Sequence, residues 1–300
     1  MAREPRRPVD GVLLLDKPPG LTSNAALQRA KRLYRAEKAG HTGTLDPLAS
    51  GLLPLCFGEA TKFAQRLLDA PKGYVATIRF GTTTTTGDAE GEPLRTRPVA
   101  IDRSALESAL KRFVGPQSQL PPMHAALKFQ GRAYYEYARK GEEVPRSARA
   151  IVVHALDLLE WNSPDAVVSI GCSKGTYVRV LAEDLGEALG CGAHLAALRR
   201  TATGGFGIQD AVTLDGLEAM EDARRLACLL PIAALVADLP RIDMGEAQCR
   251  RFRQGQALPA GGFADGDFAV FAGAAFVGLV QVSDGVAHPR RLVVERAEPA

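Results

Sequence analysis

Strand-like and helix-like segments follow one another along this chain with no βα unit repeating at a regular period, and this irregularity limits the available folds more than any other feature. A doubly wound parallel sheet needs regular alternation, so the order predicts a mixed α+β sheet instead. The apolar residues 11–15 run into Asp16-Lys17-Pro18-Pro19-Gly20, a strand followed by a turn. Thr22 or Ser23 is placed to cap a helix that extends to about Ala39 and stops at Gly40. Residues 61–69 read as a short helix and 74–80 as an alternating strand. Residues 103–113 and 134–140 read as helices. Residues 151–160 and 166–172 are β-like, and an amphipathic helix begins at Thr176, with Val178, Leu181, Leu185 and Leu189 on one stripe.

Near Asp238-Leu239-Pro240 the texture changes to short apolar runs between Gly and Asp turns, which fits a small β-barrel domain. The expected division is a flexible basic tail over 1–10, a catalytic domain over 11–238 and a β-rich domain over 239–300. At 300 residues, two domains are the natural partition. No apolar run is long enough to span a membrane, and no signal core follows the basic first residues, so the expected location is the cytoplasm. Five widely spaced cysteines without a Cys-x-x-Cys argue for reduced thiols rather than disulfides or zinc. The five histidines show no i, i+4 pair that would suggest a metal. Neither a P-loop nor a dinucleotide fingerprint occurs.

The net charge of +3 gives no argument for a polyanionic partner, but residues 1–40 carry nine bases against four acids. Such a cluster can face nucleic acid, or can simply be a tail and a solvated helix face.

The most unusual stretch is Gly40-His41-Thr42-Gly43-Thr44-Leu45-Asp46-Pro47-Leu48, continuing through Gly51 to Leu55. Asp46 is a lone carboxylate among leucines. Burial would raise its pKa and discharge it unless a cation lies beside it. An anionic nucleophile or base at this point therefore needs an Arg or Lys from elsewhere; the alternative is an ordinary Asp-Pro turn. A candidate cation is Arg179, in the first turn of the helix beginning near Thr176. A cation is disfavoured at a helix N-terminus unless an anion holds it there. His41 reads equally as a ligand contact or an exposed loop residue, and Tyr74 as a core aromatic of its strand. A competing motif, Gly171-Cys172-Ser173-Lys174-Gly175, matches G-x-S-x-G and precedes Asp238 or Asp243 and then His288, the order of α/β-hydrolases. The missing βα alternation and the charged Lys174 in the elbow count against it.

Taken in order, several blocks resemble one known family. They are Gly11-Val-Leu-Leu-Leu-Asp-Lys17-Pro-Pro-Gly20, Ala39-Gly-His-Thr-Gly-Thr-Leu-Asp46-Pro-Leu-Ala-Ser-Gly51, Gly58-Glu-Ala-Thr-Lys62, Cys172-Ser-Lys-Gly-Thr-Tyr177-Val-Arg179, Leu198-Arg-Arg200 and Pro289-Arg-Arg-Leu-Val-Val294. The chain is similar over nearly its whole length to the bacterial tRNA pseudouridine synthases of the B type. The resemblance implies a mixed-sheet catalytic domain followed by a small PUA-like domain. It further implies isomerisation of uridine 55 in the tRNA T loop by a monomer, without metal, nucleotide or redox cofactor. By the same resemblance Asp46 is the catalytic aspartate and Arg179 its ionic partner. Tyr74 lies against the extruded uracil and is the candidate base for its C5 proton, and Tyr177 and Leu198 shape the uridine pocket. His41 touches the RNA loop and Lys17 supports the active-site loops. Two positions depart from the pattern: Thr85 stands where relatives carry Asp, leaving Asp88 or Glu90 to substitute, and His124-Ala125 replaces Tyr-Ser. A catalytically silent tRNA-binding protein is the remaining alternative.

Overall fold

The computed structural model describes residues 5–294. In chain order the main elements are β1 (Gly11–Lys17), α1 (Ser23–Leu33), β2 (Ser50–Phe57), β3 (Lys72–Phe80), α2 (Arg103–Arg112), β4 (Gly115–Gln119), β5 (Arg149–Asn162), β6 (Asp165–Cys172), α3 (Val178–Ala188) and β7 (Ala193–Thr203). They are followed by α4 (Glu246–Arg253), β8 (Gly266–Ala272), β9 (Ala275–Ser283) and β10 (Val286–Leu292). The central sheet runs Val212–Thr213, β1, β2, β7, β3, β6, β5, β4. Most neighbours are antiparallel, but β2 meets β7 in parallel at Ser50 and Gly51, so the sheet is mixed as the irregular element order requires.

Alternation decides which faces are buried. Ala76, Ile78 and Phe80 on β3 join Leu106, Leu110, Leu181 and Leu185 in one core, with α2 and α3 as its cover. On the other face Leu13, Leu15, Leu53 and Leu55 pack against Leu27, Ala30 and Tyr34 of α1. Tyr74 and Leu198 touch both clusters, at the place where the two cores meet.

Helix α1 ends earlier than its periodicity suggests. Arg35 adopts φ 54°, the Ala36 N–H donates to Lys31 O at 3.0 Å and the Arg35 N–H to Arg32 O at 3.0 Å. This is a Schellman ending with Arg in the left-handed position that Gly usually takes, so the stop lies five residues before Gly40. The released chain, Ala39–His41, pairs with β2 instead of continuing the helix. At the other end Thr22 supplies the cap, accepting from Ala25 N at 3.0 Å.

The N-terminal segment is not free from Arg7 onward. Arg7 N donates to Arg35 O at 2.8 Å, Val9 is buried, and Asp10 accepts from Glu59 N at 2.6 Å; residues 1–4 lie outside the described residues. Part of its charge is matched within the fold: Arg7 and Arg35 pair with Asp222, Arg29 with Glu218, and Lys17 is fully buried. Arg6, Arg32 and Lys38 are exposed, so part of the basic excess still faces solvent.

The last segment forms a five-stranded sheet ordered Arg241–Asp243, β8, β9, β10, Leu258–Pro259, around Phe252, Val270, Val277 and Val280. Among the described residues its hydrogen bonding runs as an open order and does not close into the barrel expected from the turns. It packs on the main domain through Ala269, Phe271 and Phe276, the last edge-to-face with Phe63 at 5.3 Å. Among the described residues no helix is long and apolar enough to cross a membrane. The five cysteines are free.

One glycine in the Asp46 region is fixed by packing. A Cβ on Gly51, at φ 102°, would lie 2.3 Å from the backbone oxygen of Arg200. Only Gly allows β2 and β7 to approach this closely. Gly51→Ala is expected to destabilise the protein by about 2–4 kcal/mol in urea unfolding, because rigid backbone must move.

Candidate active site

Asp46 sits in the loop between Ala39–His41 and β2. Ser23 at the start of α1 anchors this loop by accepting from Leu45 N at 2.7 Å and donating to Leu45 O at 3.0 Å. Ala49 N closes a turn on Asp46 O at 3.1 Å, and Pro47 O accepts from Gly20 N at 2.8 Å. The leucines that flank Asp46 in sequence are thus the buried faces of the loop and of β2, and its carboxylate is left at the mouth of a cleft. The cleft has a volume of about 300 Å³, and its walls include Asp46, Tyr74, Tyr177, Arg179, Leu198 and Arg200.

Arg179 arrives from the first turn of α3. Thr176 is not its cap: that hydroxyl donates to Ser173 O at 3.0 Å, and Tyr177 takes the cap position with no side-chain bond of its own. Tyr177 is held instead by Gln119 at the end of β4. The glutamine accepts from Tyr177 N at 3.0 Å and donates to Tyr177 O at 3.3 Å. This clamp aims Arg179 inward, where its side chain is only 6% exposed. Its Nη2 lies 3.1 Å from Asp46 Oδ2 and its Nη1 3.6 Å from Asp88 Oδ2. The guanidinium also donates to Thr86 O at 3.3 Å and His124 O at 2.7 Å. A buried cation thus faces two carboxylates and two carbonyls, which explains an Arg where the helix dipole disfavours one.

These contacts account for both departures from the family pattern. Thr85 lies beside Glu92, accepting from its N–H at 3.0 Å. The acid that meets Arg179 is the buried Asp88, whose carboxylate accepts from the Thr86 hydroxyl and from Glu90 N. At position 124 it is the backbone carbonyl that holds Arg179.

Burial pushes the Asp46 carboxyl above its usual range; Asp88 adds to the rise, while Arg179 and Lys17 oppose it. Lys17 is fully buried at the end of β1, donating to Pro18 O at 2.9 Å and Leu21 O at 2.6 Å, so it ties the turn before α1. Burial lowers its own pKa to about 8. A reaction that needs ionised Asp46 therefore has an acid limb above the ordinary aspartate value. Lys17→Met should move that limb to higher pH, because one of the two cations favouring the anion is gone. A pH profile of kcat/KM on the two proteins measures the shift.

Tyr74 and Leu198 lie where the two cores meet and line the cleft wall. Burial raises the Tyr74 phenol, which is therefore protonated in the resting protein. Arg200 had no individual signal beyond its place in a motif, yet it sits 1% exposed against Tyr74, its register partner across β3 and β7. Gln119 and Asp88 were equally weak signals as single polar residues. His41 is not in the cleft wall. It lies half-buried on the short strand beside β2, with Nδ1 buried and lacking a hydrogen-bond partner, and burial and the nearby Arg200 lower its pKa.

The hydrolase alternative finds no support. The Ser173 hydroxyl accepts from Val152 N at 2.8 Å and donates to Lys174 O, Asp238 pairs with Arg66, Asp243 pairs with Arg241, and His288 lies on β10. Among the described residues no cluster of His, Cys, Asp and Glu could hold a metal ion.

Comparison with known proteins identifies the family. Residues 31–178 match the TruB family pseudouridylate synthase N-terminal domain, 179–237 the tRNA pseudouridylate synthase B C-terminal domain, and 240–293 the pseudouridine synthase II TruB C-terminal domain. The chain is 55% identical to tRNA pseudouridine synthase B of Burkholderia lata, over 98% of this chain and 94% of that one. It is 56% identical to tRNA pseudouridine synthase B of Thiobacillus denitrificans, over 96% and 97%. Among solved structures it resembles a Cbf5-Nop10-Gar1 complex, with a TM-score of 0.72 and 27% identity over 95% of this chain and 84% of that one. It also resembles an H/ACA RNP bound to a substrate RNA containing 2'-deoxyuridine, with a TM-score of 0.72 and 25% identity over 95% and 86%. The mixed sheet, the loop that presents Asp46 to Arg179 and the full-length similarity to curated relatives lead to one conclusion: this chain belongs to the TruB family of pseudouridine synthases, isomerases that turn uridine into its C-glycoside.

Proposed function

We propose that this protein isomerises uridine 55 in the T loop of tRNA, with Asp46 as the group that starts the reaction. The observation that carries this reading is the 3.1 Å contact between Asp46, at the mouth of the cleft, and the buried Arg179. The arrangement favours the anion of a carboxyl whose pKa burial raises. The tRNA substrate follows the names of the curated relatives, and the T arm follows the family resemblance.

A base in a folded tRNA loop is stacked and paired, so it must be turned out of the loop before a carboxylate reaches its ribose. That costs a few kcal/mol and is offset by stacking in the pocket and by backbone contacts. Tyr74 packs against the extruded ring, with Tyr177 and Leu198 as the remaining walls, and His41 meets the RNA loop from beside the cleft. Asp46 then acts either by addition or by taking a ribose proton, and the N1–C1′ bond breaks. The freed uracil rotates, C5 bonds to C1′, and the C5 proton leaves. Tyr74 begins neutral, so it can accept that proton only as its own moves on. Asp46 faces the same cleft and its charge acts on the phenol. Atoms balance without an external donor or acceptor, as an isomerisation requires.

Unmodified tRNA carrying tritium at C5 of its uridines tests this directly. Wild-type protein should release about one equivalent of tritium per tRNA, as expected for a single target position. Retention of all the label, with tRNA bound, would favour a silent RNA-binding protein.

A further inference from the structure

Arg200 is the largest fully buried side chain among the described residues and does no work in the reaction as outlined so far. Its neighbour Arg199 points the other way on β7 and forms a two-point pair with Asp16 at 3.1 and 2.7 Å. Arg200 points inward, into the cleft wall. Its Nε donates to Leu52 O at 2.7 Å, and Nη2 lies 3.5 Å from Gly43 O, three residues before Asp46. Tyr74, its register partner across β3 and β7, lines the same cleft wall, and the guanidinium's charge acts on the phenol. Among the described residues no carboxylate forms an ion pair with Arg200. A buried cation ordinarily takes an acid as its counter-charge; here the titratable group set opposite it on the neighbouring strand is a phenol.

We propose that Arg200 is a positioning residue for proton transfer, holding the Tyr74 phenol and stabilising the negative charge its oxygen carries as the C5 proton of the rotated uracil is removed. This rests on the reading of Tyr74 given above and names what that reading lacks. When C5 has bonded to C1′, the C5–H bond breaks and its electron pair returns to the ring to restore the C5=C6 double bond. The proton goes to Tyr74 Oη while the phenol's own proton passes to the Asp46 carboxylate facing the same cleft, and then to water. Between these events the phenol oxygen is electron-rich, and a fixed guanidinium in a dry wall stabilises such charge without rearranging. The same guanidinium holds Leu52 O and Gly43 O on either side of the Asp46 loop. One cation therefore sets the loop and the phenol in a common frame.

The test is a double-variant cycle on the full-length protein with tRNA carrying either hydrogen or deuterium at C5 of the target uridine. Arg200→Lys keeps the charge in the wall but loses the fork that reaches Tyr74 and the two carbonyls together. It is expected to lower kcat on the order of 10²-fold with KM nearly unchanged. It should also raise the C5 deuterium effect on turnover, because proton removal becomes the slow step. A residue that only stabilised the fold would not raise that isotope effect. In the Tyr74→Phe background, Arg200→Lys should cost much less than in wild type, since the oxygen it acts on is absent and only its hold on Leu52 O and Gly43 O is left to lose. The proposal is overturned if kcat of Arg200→Lys matches wild type, if its isotope effect is unchanged, or if the two substitutions multiply. Full activity of Tyr74→Phe overturns it as well. Failure of the functional reading is distinct, since wild-type protein would then form no pseudouridine at all.

Discussion

Asp46→Asn is expected to reduce pseudouridine formation by on the order of 10⁴-fold or more while tRNA binding persists. The amide keeps the size and much of the hydrogen bonding of the carboxylate but can neither attack as an anion nor take a proton, the two ways in which Asp46 can begin the reaction. In the proposed function binding is shared among the cleft walls and contacts to the RNA backbone, so it should survive the loss of one carboxylate. Filter binding and product formation on the same preparation separate the two. Stability should move the other way. The folded protein raises the Asp46 pKa, so its proton is held more tightly in the folded state than in the unfolded one. Asp46 therefore contributes stability that is fully present below its unfolded pKa and is lost as pH rises through its folded pKa. At neutral pH the charged aspartate is a liability to the fold, and the Asn variant is expected to melt at a higher temperature than wild type. A variant that lost both activity and stability would indicate a structural role for Asp46.

Arg179→Met is the second large effect. It strands Asp88, whose side chain is 4% exposed, and removes the donor to Thr86 O and His124 O. Breaking a buried pair from one side costs about 3–5 kcal/mol, because the remaining charge has no partner. Activity should fall with it, since Asp46 loses the first of the cations that favour its ionised form. Adding Asp88→Asn to Arg179→Met should recover much of the stability, as the stranded charge is removed, and none of the activity. Urea unfolding of the single and double variants, alongside product formation, separates the two contributions. Equal stability of wild type and Arg179→Met would contradict the buried network.

The aspartate and its arginine were legible because each breaks a local rule. Asp46 is a charge set among leucines, and Arg179 is a cation in the first turn of a helix. Each anomaly needs the other, and the structure brings them to 3.1 Å. The mixed sheet was legible from the irregular order of elements, and the faces of β3 from simple alternation. The end of α1 was not legible, because Arg35 holds a left-handed conformation that sequence assigns to glycine, and Gly40 offered a more conventional stop. Arg200 and Gln119 were hidden for a different reason. Their importance lies in partners 148 and 58 residues away, Leu52 and Tyr177, and no local pattern marks a polar side chain that will be buried. Asp88 was visible only as a possible substitute for the acid missing at Thr85. The basic first forty residues were legible only in part, since charge counts carry no information about which carboxylates lie opposite, and here Asp222 and Glu218 pair with Arg7, Arg35 and Arg29.

In the proposed reaction Asp46, its anion favoured by Arg179, begins the conversion of one uridine of the tRNA T loop. It is tested most directly by mapping pseudouridine at single-nucleotide resolution in unmodified tRNA incubated with wild-type protein and, in parallel, with Asp46→Asn. One pseudouridine, at position 55, is expected with wild type and none with the variant. Pseudouridine elsewhere in the tRNA, or the same product from both proteins, would contradict it.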